Sequence, residues 1–388
     1  MTNDVSASEM DRQRNGRTPD PAKPEGIKKF PCRNCGGPLL FVPGATHLRC
    51  PYCHSENDIP ADPKDNDFLK EHDFLATLEE ENRKQEQETD APLAAAIHCD
   101  NCGAETTISP DRTSDKCPYC GSPMTMQNRF TCKLNVQALL PFVIDSEKAL
   151  AIYQNWLSSR WFAPNDFIRR ATREEAMSGI YMPYWTYDAD TKTWYRGQRG
   201  DAYYTTEQVA VTRSGKTVYE TRQVKRIRWT PVSGQVSVFF DDVLVPASRS
   251  LPVHLQDKLK PWKLDNLKPF RYEFLSGFVT EAYQVGLKDG FDDAKKRMAP
   301  AIDGAIRSDI GGEEQRIDHQ ESRYSKVTFK HILLPLWLSA YSYGGVTYRF
   351  SVNAQTGEAS GDRPWSFWKI AAAVAVGLTA IGAFLYFA

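Results

Sequence analysis

The chain has 388 residues with 48 basic and 49 acidic side chains, long enough for two or three domains and too balanced for bulk attraction to nucleic acid or anionic lipid. Aromatic residues are abundant (9 Trp, 17 Tyr and 19 Phe), and most lie after residue 130, where they suit a strand-rich core. The polar start, MTNDVSASEM, lacks the apolar run of a secretory leader. The 9 cysteines fall in close pairs, which read as reduced metal ligands in a cytoplasmic compartment rather than a disulfide framework.

Residues 1–29 are polar and aperiodic and read as a disordered tail. A first cysteine module, residues 30–56, contains Cys32-Arg-Asn-Cys35 and, after fourteen residues, Cys50-Pro-Tyr-Cys53. A second, residues 97–125, repeats it at an offset of 67 with Cys99-Asp-Asn-Cys102 and Cys117-Pro-Tyr-Cys120. Two residues between thiolates let one tight turn aim both sulfurs at a single ion, and two facing turns complete a tetrahedron. Each unit is too small to fold by apolar burial alone, whereas structural zinc supplies on the order of 10–16 kcal/mol of apparent binding energy. The spacing therefore predicts two zinc ribbons, each holding one Zn2+ through four cysteines. Gly36, Gly103 and Gly121 supply permissive backbone just after the pairs.

Four thiolates also suit a single iron, as in rubredoxin, which a red colour would reveal. A redox role needs a thioredoxin-like strand–helix setting that the sequence does not provide. His47, His54 and His98 are surplus to complete sites and read as surface residues, and Cys132 as a buried small hydrophobe.

Residues 57–96 read as an acidic linker; across 56–90 there are thirteen acids against four bases. Phe68, Leu69, Phe74, Leu75 and Leu78 suit a short amphipathic helix within an otherwise solvated spacer. Residues 130–362 read as an aromatic-rich α+β domain dominated by antiparallel sheet. Asp145 or Ser146 caps a helix with Leu150, Tyr153, Trp156 and Leu157 on one face. A strand-rich block follows to about Ala247, then a helix burying Phe291, Ala294, Met298, Ile302 and Ile306, bent at Pro300. Three segments share an apolar-Pro form (Leu140-Pro141, Met182-Pro183 and Leu334-Pro335), where proline suits a strand edge or first residue. Residues 369–388 carry a nineteen-residue uncharged run, IAAAVAVGLTAIGAFLYFA, long enough to span one hydrocarbon core. Trp365, Phe367 and Trp368 suit the interface beside it, and Arg363 and Lys369 place the N-terminal bulk in the cytoplasm, at the inner membrane.

Signals for catalysis are weak. Ala210 to Thr217 matches a permissive phosphate-binding loop, but an alternating segment follows where a helix is required, so Ser214-Gly215 reads as a hairpin turn. Asp188 and Asp190 would share one strand face as surface acids. Lys225, Arg226 and Arg228 with Trp229 form a basic–aromatic patch suited to RNA or anionic headgroups, or simply to a solvated strand face. His254, His319 and His331 sit in no motif.

The paired cysteine modules, Leu140-Pro-Phe with Arg160-Trp-Phe-Ala-Pro164, Gly179-Ile-Tyr-Met-Pro-Tyr-Trp185, Val352-Asn-Ala-Gln-Thr-Gly357 and the apolar tail together resemble a family of bacterial membrane-anchored zinc-ribbon proteins. That family is often labelled primosomal protein N′ or superfamily II helicase-like. The resemblance covers most of residues 32–388; no helicase motor motif accompanies it. Some relatives belong to envelope-stress loci encoding stomatin/prohibitin/flotillin-type or phage-shock-type proteins. The resemblance implies a non-enzymatic adaptor in protein assembly at the cytoplasmic membrane face, without a small-molecule substrate. A nucleic-acid-binding accessory is the alternative, disfavoured by the acidic linker and the few bases of the ribbons. A hydrolase would require a deep pocket with convergent polar groups.

Overall fold

In a computed structural model the described residues are 30–59, 70–85, 93–99, 102–107, 114–120, 122–125, 129–133, 136–173, 177–213 and 216–387. The tail expected at 1–29 lies outside them, as do Phe68, Leu69, Gly121, Ser214 and Gly215, and nothing of the side chains of His98 and Cys132 is described.

The first cysteine module is a three-stranded antiparallel sheet of β1 (Leu40–Phe41), β2 (His47–Arg49) and β3 (Glu56–Asp58), so its last strand runs past residue 56. A short strand β4 (His72–Asp73) and helix α1 (Phe74–Gln85) follow. The second module comprises β5 (Leu93–His98), β6 (Glu105–Thr107), β7 (Ser114–Lys116), β8 (Pro123–Thr125) and β9 (Arg129–Lys133). The offset of 67 superposes β2 on β7 and β3 on β8 in sequence, and both pairs are antiparallel hairpins. In the second copy β6 pairs instead with β5, which pairs on its other side with β9.

The rest is a mixed, sheet-rich α+β domain. Its elements are β10 (Ala138–Leu139), α2 (Ser146–Ser158), α3 (Asn165–Arg173), β11 (Ser178–Arg213), β12 (Lys216–Pro246), α4 (Val253–Gln256), β13 (Lys268–Pro269) and β14 (Val279–Thr280). After them come α5 (Leu287–Ile310), β15 (Glu314–Tyr343), β16 (Val346–Asn353), β17 (Ala359–Gly361) and α6 (Phe367–Phe387). The sheet runs β12-β11-β15-β10-β13, with β16 and β17 continuing from the far half of β15. As the pattern of its residues requires, α5 buries Phe291, Ala294, Met298, Ile302 and Ile306, with Pro300 inside a continuous helix. The Asp145 carboxylate accepts from the Lys148 amide and caps α2.

Three features depart from the sequence reading. First, the strand-rich block is one hairpin of unusual length: β11 has 36 residues and β12 has 31, paired from Tyr184↔Pro246 to Arg213↔Lys216 with one register shift, between Tyr187 and Ala189. Glycines permit this at close approaches; a Cβ on Gly197 would lie 2.3 Å from the Arg316 carbonyl. Since β15 accompanies β11 only as far as Gly200↔Glu314, residues 201–213 and 216–228 project as a two-stranded arm. Second, Pro183 and Pro335 lie inside paired strands rather than at edges or strand starts. The Ala247 amide donates to the Pro183 carbonyl, and that of Ala354 to the Pro335 carbonyl. In a strand, N and C=O of one residue face the same side, so each proline turns its missing N–H toward the point where the neighbouring strand, β12 or β16, ends.

Third, the acidic segment is not a free spacer. His72 and Asp73 pair with Phe329 and Thr328 of β15. The Asp73 carboxylate caps α1 by accepting from the Ala76 amide. Phe74 then packs 4.7 Å from Phe291 and 6.3 Å from Tyr187, centroid to centroid. Phe74→Ala therefore opens a cavity in the main core and is expected to cost about 3–5 kcal/mol. Thermal unfolding checks this: the same change at exposed Leu75 should leave the midpoint nearly unmoved.

Candidate metal centres and a buried charge cluster

The hydrogen bonds that shape the two cysteine knuckles repeat at the offset of 67. The Cys32 amide donates to the Gly37 carbonyl at 2.7 Å and the Cys99 amide to that of Ala104 at 2.8 Å. The amides of Gly36 and Gly103 each reach back 2.8 Å to the carbonyl of the first cysteine. Both glycines have φ of +73°, in the left-handed region where a Cβ is strained. The closing turns repeat as well, with the Cys50 and Cys117 amides bonded to the carbonyls of Ser55 and Ser122.

These turns gather Cys32, Cys35, Cys50 and Cys53 into one group and Cys99, Cys102, Cys117 and Cys120 into another, all sulfurs of a group lying within 4.8 Å of one another. None is in a disulfide. Cross-turn separations are 3.4 and 3.6 Å in the first group and 3.6 Å twice in the second. Four sulfurs about 2.3 Å from a central ion stand roughly 3.8 Å apart, so both cages are of a size to hold one metal ion each. The Ser55 hydroxyl, 3.0 Å from Cys53 Sγ, acts first among the groups that draw this thiol down to about 5. Cys102 is likewise drawn to about 5, chiefly by Cys117, whose own thiol is pushed far up in return. Cys32 is lowered as well, again led by the Ser55 hydroxyl; four thiolates gathered together need a cation. His47 pairs with Glu56 at 3.5 Å and His54 sits in a left-handed turn, so neither belongs to the first group.

Both modules are seated on the main domain. In the first, Phe41 packs 5.2 Å from Phe274 and its amide donates to the Ser276 carbonyl. In the second, Tyr119 lies between Cys117 and Cys120 and donates its hydroxyl to the buried carboxylate of Glu281, which also accepts from Ser248 and Ser250. Burial raises Glu281 to about 7 against the pull of these three donors. Gln284 donates to the Gly103 carbonyl at 2.9 Å and Arg349 to that of Tyr119 at 2.6 Å.

Asp188 and Asp190 do not share a face: a register shift between them breaks the two-residue period. Asp190 pairs at the surface with Lys326 at 3.0 Å. Asp188 turns inward toward Glu71 and accepts from the Asp242 amide at 2.7 Å. The Lys330 ammonium stands 2.9 Å from both Glu71 and Asp242 and supplies the positive charge among these acids. Burial first, then Glu71, raises Asp188 to about 7. Against its own burial, Glu71 is held below the ordinary carboxylate range by Asp188, Thr328 and Lys330. Nothing in the sequence connects Glu71, Asp242 and Lys330 to Asp188, because each comes from a different strand or segment.

The basic–aromatic patch lies on the arm and at its base, and its charges are partly met. Lys225 pairs with Glu313 and Arg226 with Glu207, and the Arg316 guanidinium lies 4.0 Å over Trp229. Lys216 opens a strand paired to Arg213, so no helix N-terminus follows the Ser-Gly-Lys-Thr segment. His254 bonds Asp362 at 2.9 Å, while His331 is buried 4.5 Å from Trp185.

Among proteins of known sequence the chain is similar to the uncharacterized protein YdjG of Bacillus subtilis (strain 168). The two are 25% identical over 349 residues, 89% of this chain and 93% of the relative. No family model and no solved structure matches the chain.

The folded Asp188 lies above the value of about 3.9 for an unfolded aspartate, so its contribution to stability is complete below that pH and lost as pH rises through about 7. Asp188→Asn keeps the acceptor for the Asp242 amide and a donor for Glu71. It should lessen the fall in thermal midpoint between about pH 4 and pH 7, and part of the slope should remain, since Glu281 titrates in the same window.

Proposed function

We propose that this protein is a non-enzymatic adaptor, tethered to the cytoplasmic face of a bacterial inner membrane by α6, with two zinc ribbons of which the first presents its knuckle to a protein partner. The observation that carries this reading is the divergence of one tyrosine between the two copies. Tyr52 and Tyr119 occupy the same place, 67 residues apart, between the last two cysteines. Tyr52 is 72% exposed and Tyr119 1%. The second copy spends its tyrosine on the domain; the first leaves Tyr52 on an open turn, with Arg33 and Asn34 exposed close by. A rigid aromatic at low entropic cost is the kind of group that anchors a protein interface.

Zinc is the ion favoured by four thiolates in a small tetrahedral cage that needs no redox change. α6 offers twenty residues, Phe367–Tyr386, long and apolar enough to cross a bilayer, and none of that span is buried against the domain. The partner class follows the motif resemblance: stomatin/prohibitin/flotillin-type or phage-shock-type proteins assembling on the same membrane. Nucleic acid is disfavoured because Arg33 and Arg49 of the first module are balanced by Glu56 and Asp58, and two of the arm's cations are paired.

Metal analysis of protein purified under reducing conditions should find two zinc ions per chain, and Cys35→Ser and Cys102→Ser should each remove one. Tyr52→Ala should keep both ions and the thermal midpoint while lowering co-purification of the membrane partner at least tenfold. Gel shifts with DNA and RNA should show no salt-dependent binding; tight binding lost in Cys35→Ser would overturn the adaptor reading.

A further inference from the structure

Between α2 and α3 the chain turns through residues 160–164, and this loop is fastened to the start of α6. The Ser366 amide donates to the Phe162 carbonyl at 2.8 Å. The Lys369 ammonium donates to the carbonyls of Trp161 at 2.9 Å and Ala163 at 2.8 Å and to the Asn165 amide oxygen at 2.7 Å. All three donors of a lysine in the first turn of the apolar helix are thus spent on one loop, which cannot swing away from it.

The loop leaves large aromatic surface in the open. Trp161 is 78% exposed, stacked 6.2 Å from Phe162, and Phe162 lies 6.4 Å from Trp365. Phe367 and Trp368 stand exposed on the adjoining turn, Trp368 at 80%. Phe162, Trp365, Ile370, Ala373 and Val374 line an open apolar notch of about 390 Å³. At ~1.5 Å per residue Val374 lies about 10 Å along the helix from Phe367, so Phe162 reaches beside residues already at acyl-chain depth. The rim is cationic: Arg363 lies 4.2 Å over Trp365 and Arg160 5.0 Å over Trp156, while the nearby acids Asp362 and Asp166 are bonded to His254 and Tyr343. Indole, aliphatic notch and guanidinium follow one another in the order of acyl chain, glycerol region and phosphate in an anionic leaflet.

We infer that residues 160–164 are a second membrane contact. Trp161 and Phe162 enter the boundary between headgroups and acyl chains beside α6, a lipid chain fills the notch, and Arg160 and Arg363 meet lipid phosphates. This rests on the reading that α6 spans a membrane. The occupant is lipid rather than protein because the surface is continuous with the helix that the bilayer must surround and is fixed to it by its lysine. The domain is therefore held in one orientation on the bilayer instead of hanging from a free tether.

Full-length protein reconstituted in phosphatidylcholine–phosphatidylglycerol vesicles (7:3) tests this, using acyl chains with or without bromine at positions 6 and 7. The Trp161 emission, taken as wild type minus Trp161→Phe, should fall at least twofold in brominated vesicles, with two metal ions retained in both proteins. An unquenched difference in protein that resists alkaline carbonate extraction overturns the second contact while the anchor stands. If Trp161 is unquenched yet shielded from acrylamide, protein rather than lipid covers the loop, which also overturns it. Release of wild type by carbonate would instead defeat the anchor, and the inference with it.

Discussion

The ladder between β11 and β15 is the constraint on which the rest of the molecule depends. It joins residues 178–200 to 314–338, more than a hundred positions apart in sequence, so its closure is a non-local event that fixes where everything else can pack. Helix α5 covers one side of it with Met298, Ile302 and Ile306, while on the other edge β15 receives β4, β10 and β16 in turn along its length. Each attached piece is too short to hold a position alone. Because the ladder stops at Gly200, the hairpin beyond it has neither a third strand nor a helix over it among the described residues. There it relies on paired β-branched positions and on charge pairs such as Arg226 with Glu207.

The duplicated cysteine units show how one local solution acquires two uses. Their knuckles share the same turns, the same glycine conformation and the same closing bonds, so the difference lies wholly in what surrounds them. In the second, Tyr119 is drawn into the domain and its hydroxyl ends on a buried carboxylate, which leaves Cys117 and Cys120 on either side of a docked residue. Order in that cage and the seating of the module are consequently coupled. In the first, contact passes through Phe41 and the backbone on the far side of the sheet, and the knuckle stays outside.

The parts of this structure legible from sequence are those whose information is local. Cysteine spacing located both four-sulfur groups, a heptad-like apolar pattern located α5, the Asp145 cap located the start of α2, and the uncharged run located α6. What stayed hidden is pairing at long range. Nothing around Phe74 announces that it meets Phe291, and nothing around Glu281 announces Tyr119; each is a single residue whose partner lies 160 or more positions away. The length of the β11–β12 hairpin was obscured for a different reason. Its alternation is interrupted by Gly197, Gly200 and Gly234, yet in the structure they sit at close approaches and the strands pass through them. The asparagine of Val352-Asn-Ala-Gln-Thr-Gly357 was visible as a motif without a role. It proves architectural: its side chain accepts from the amides of Gln355 and Thr356 and donates to the carbonyls of Leu259 and Pro261.

The ends of the long sheet have opposite character, and this bears on how the molecule can stand. α2 and α3 pack near the β15–β16 turn, where Phe167 meets Tyr341, Tyr343 and Tyr348, and α6 leaves from the same end. β11 runs from there to the arm's tip, a contour of roughly 115 Å for its 36 residues at about 3.3 Å each. The basic patch is therefore remote from the apolar helix. A cationic arm of such reach would be drawn down to an anionic surface at about 1 kcal/mol for each unpaired Lys or Arg. Pairing Lys225 with Glu313 and Arg226 with Glu207 meets two of the six cations in its sequence. The arm therefore keeps a positive balance, six bases against three acids across 201–213 and 216–228, at the end of the sheet opposite α6.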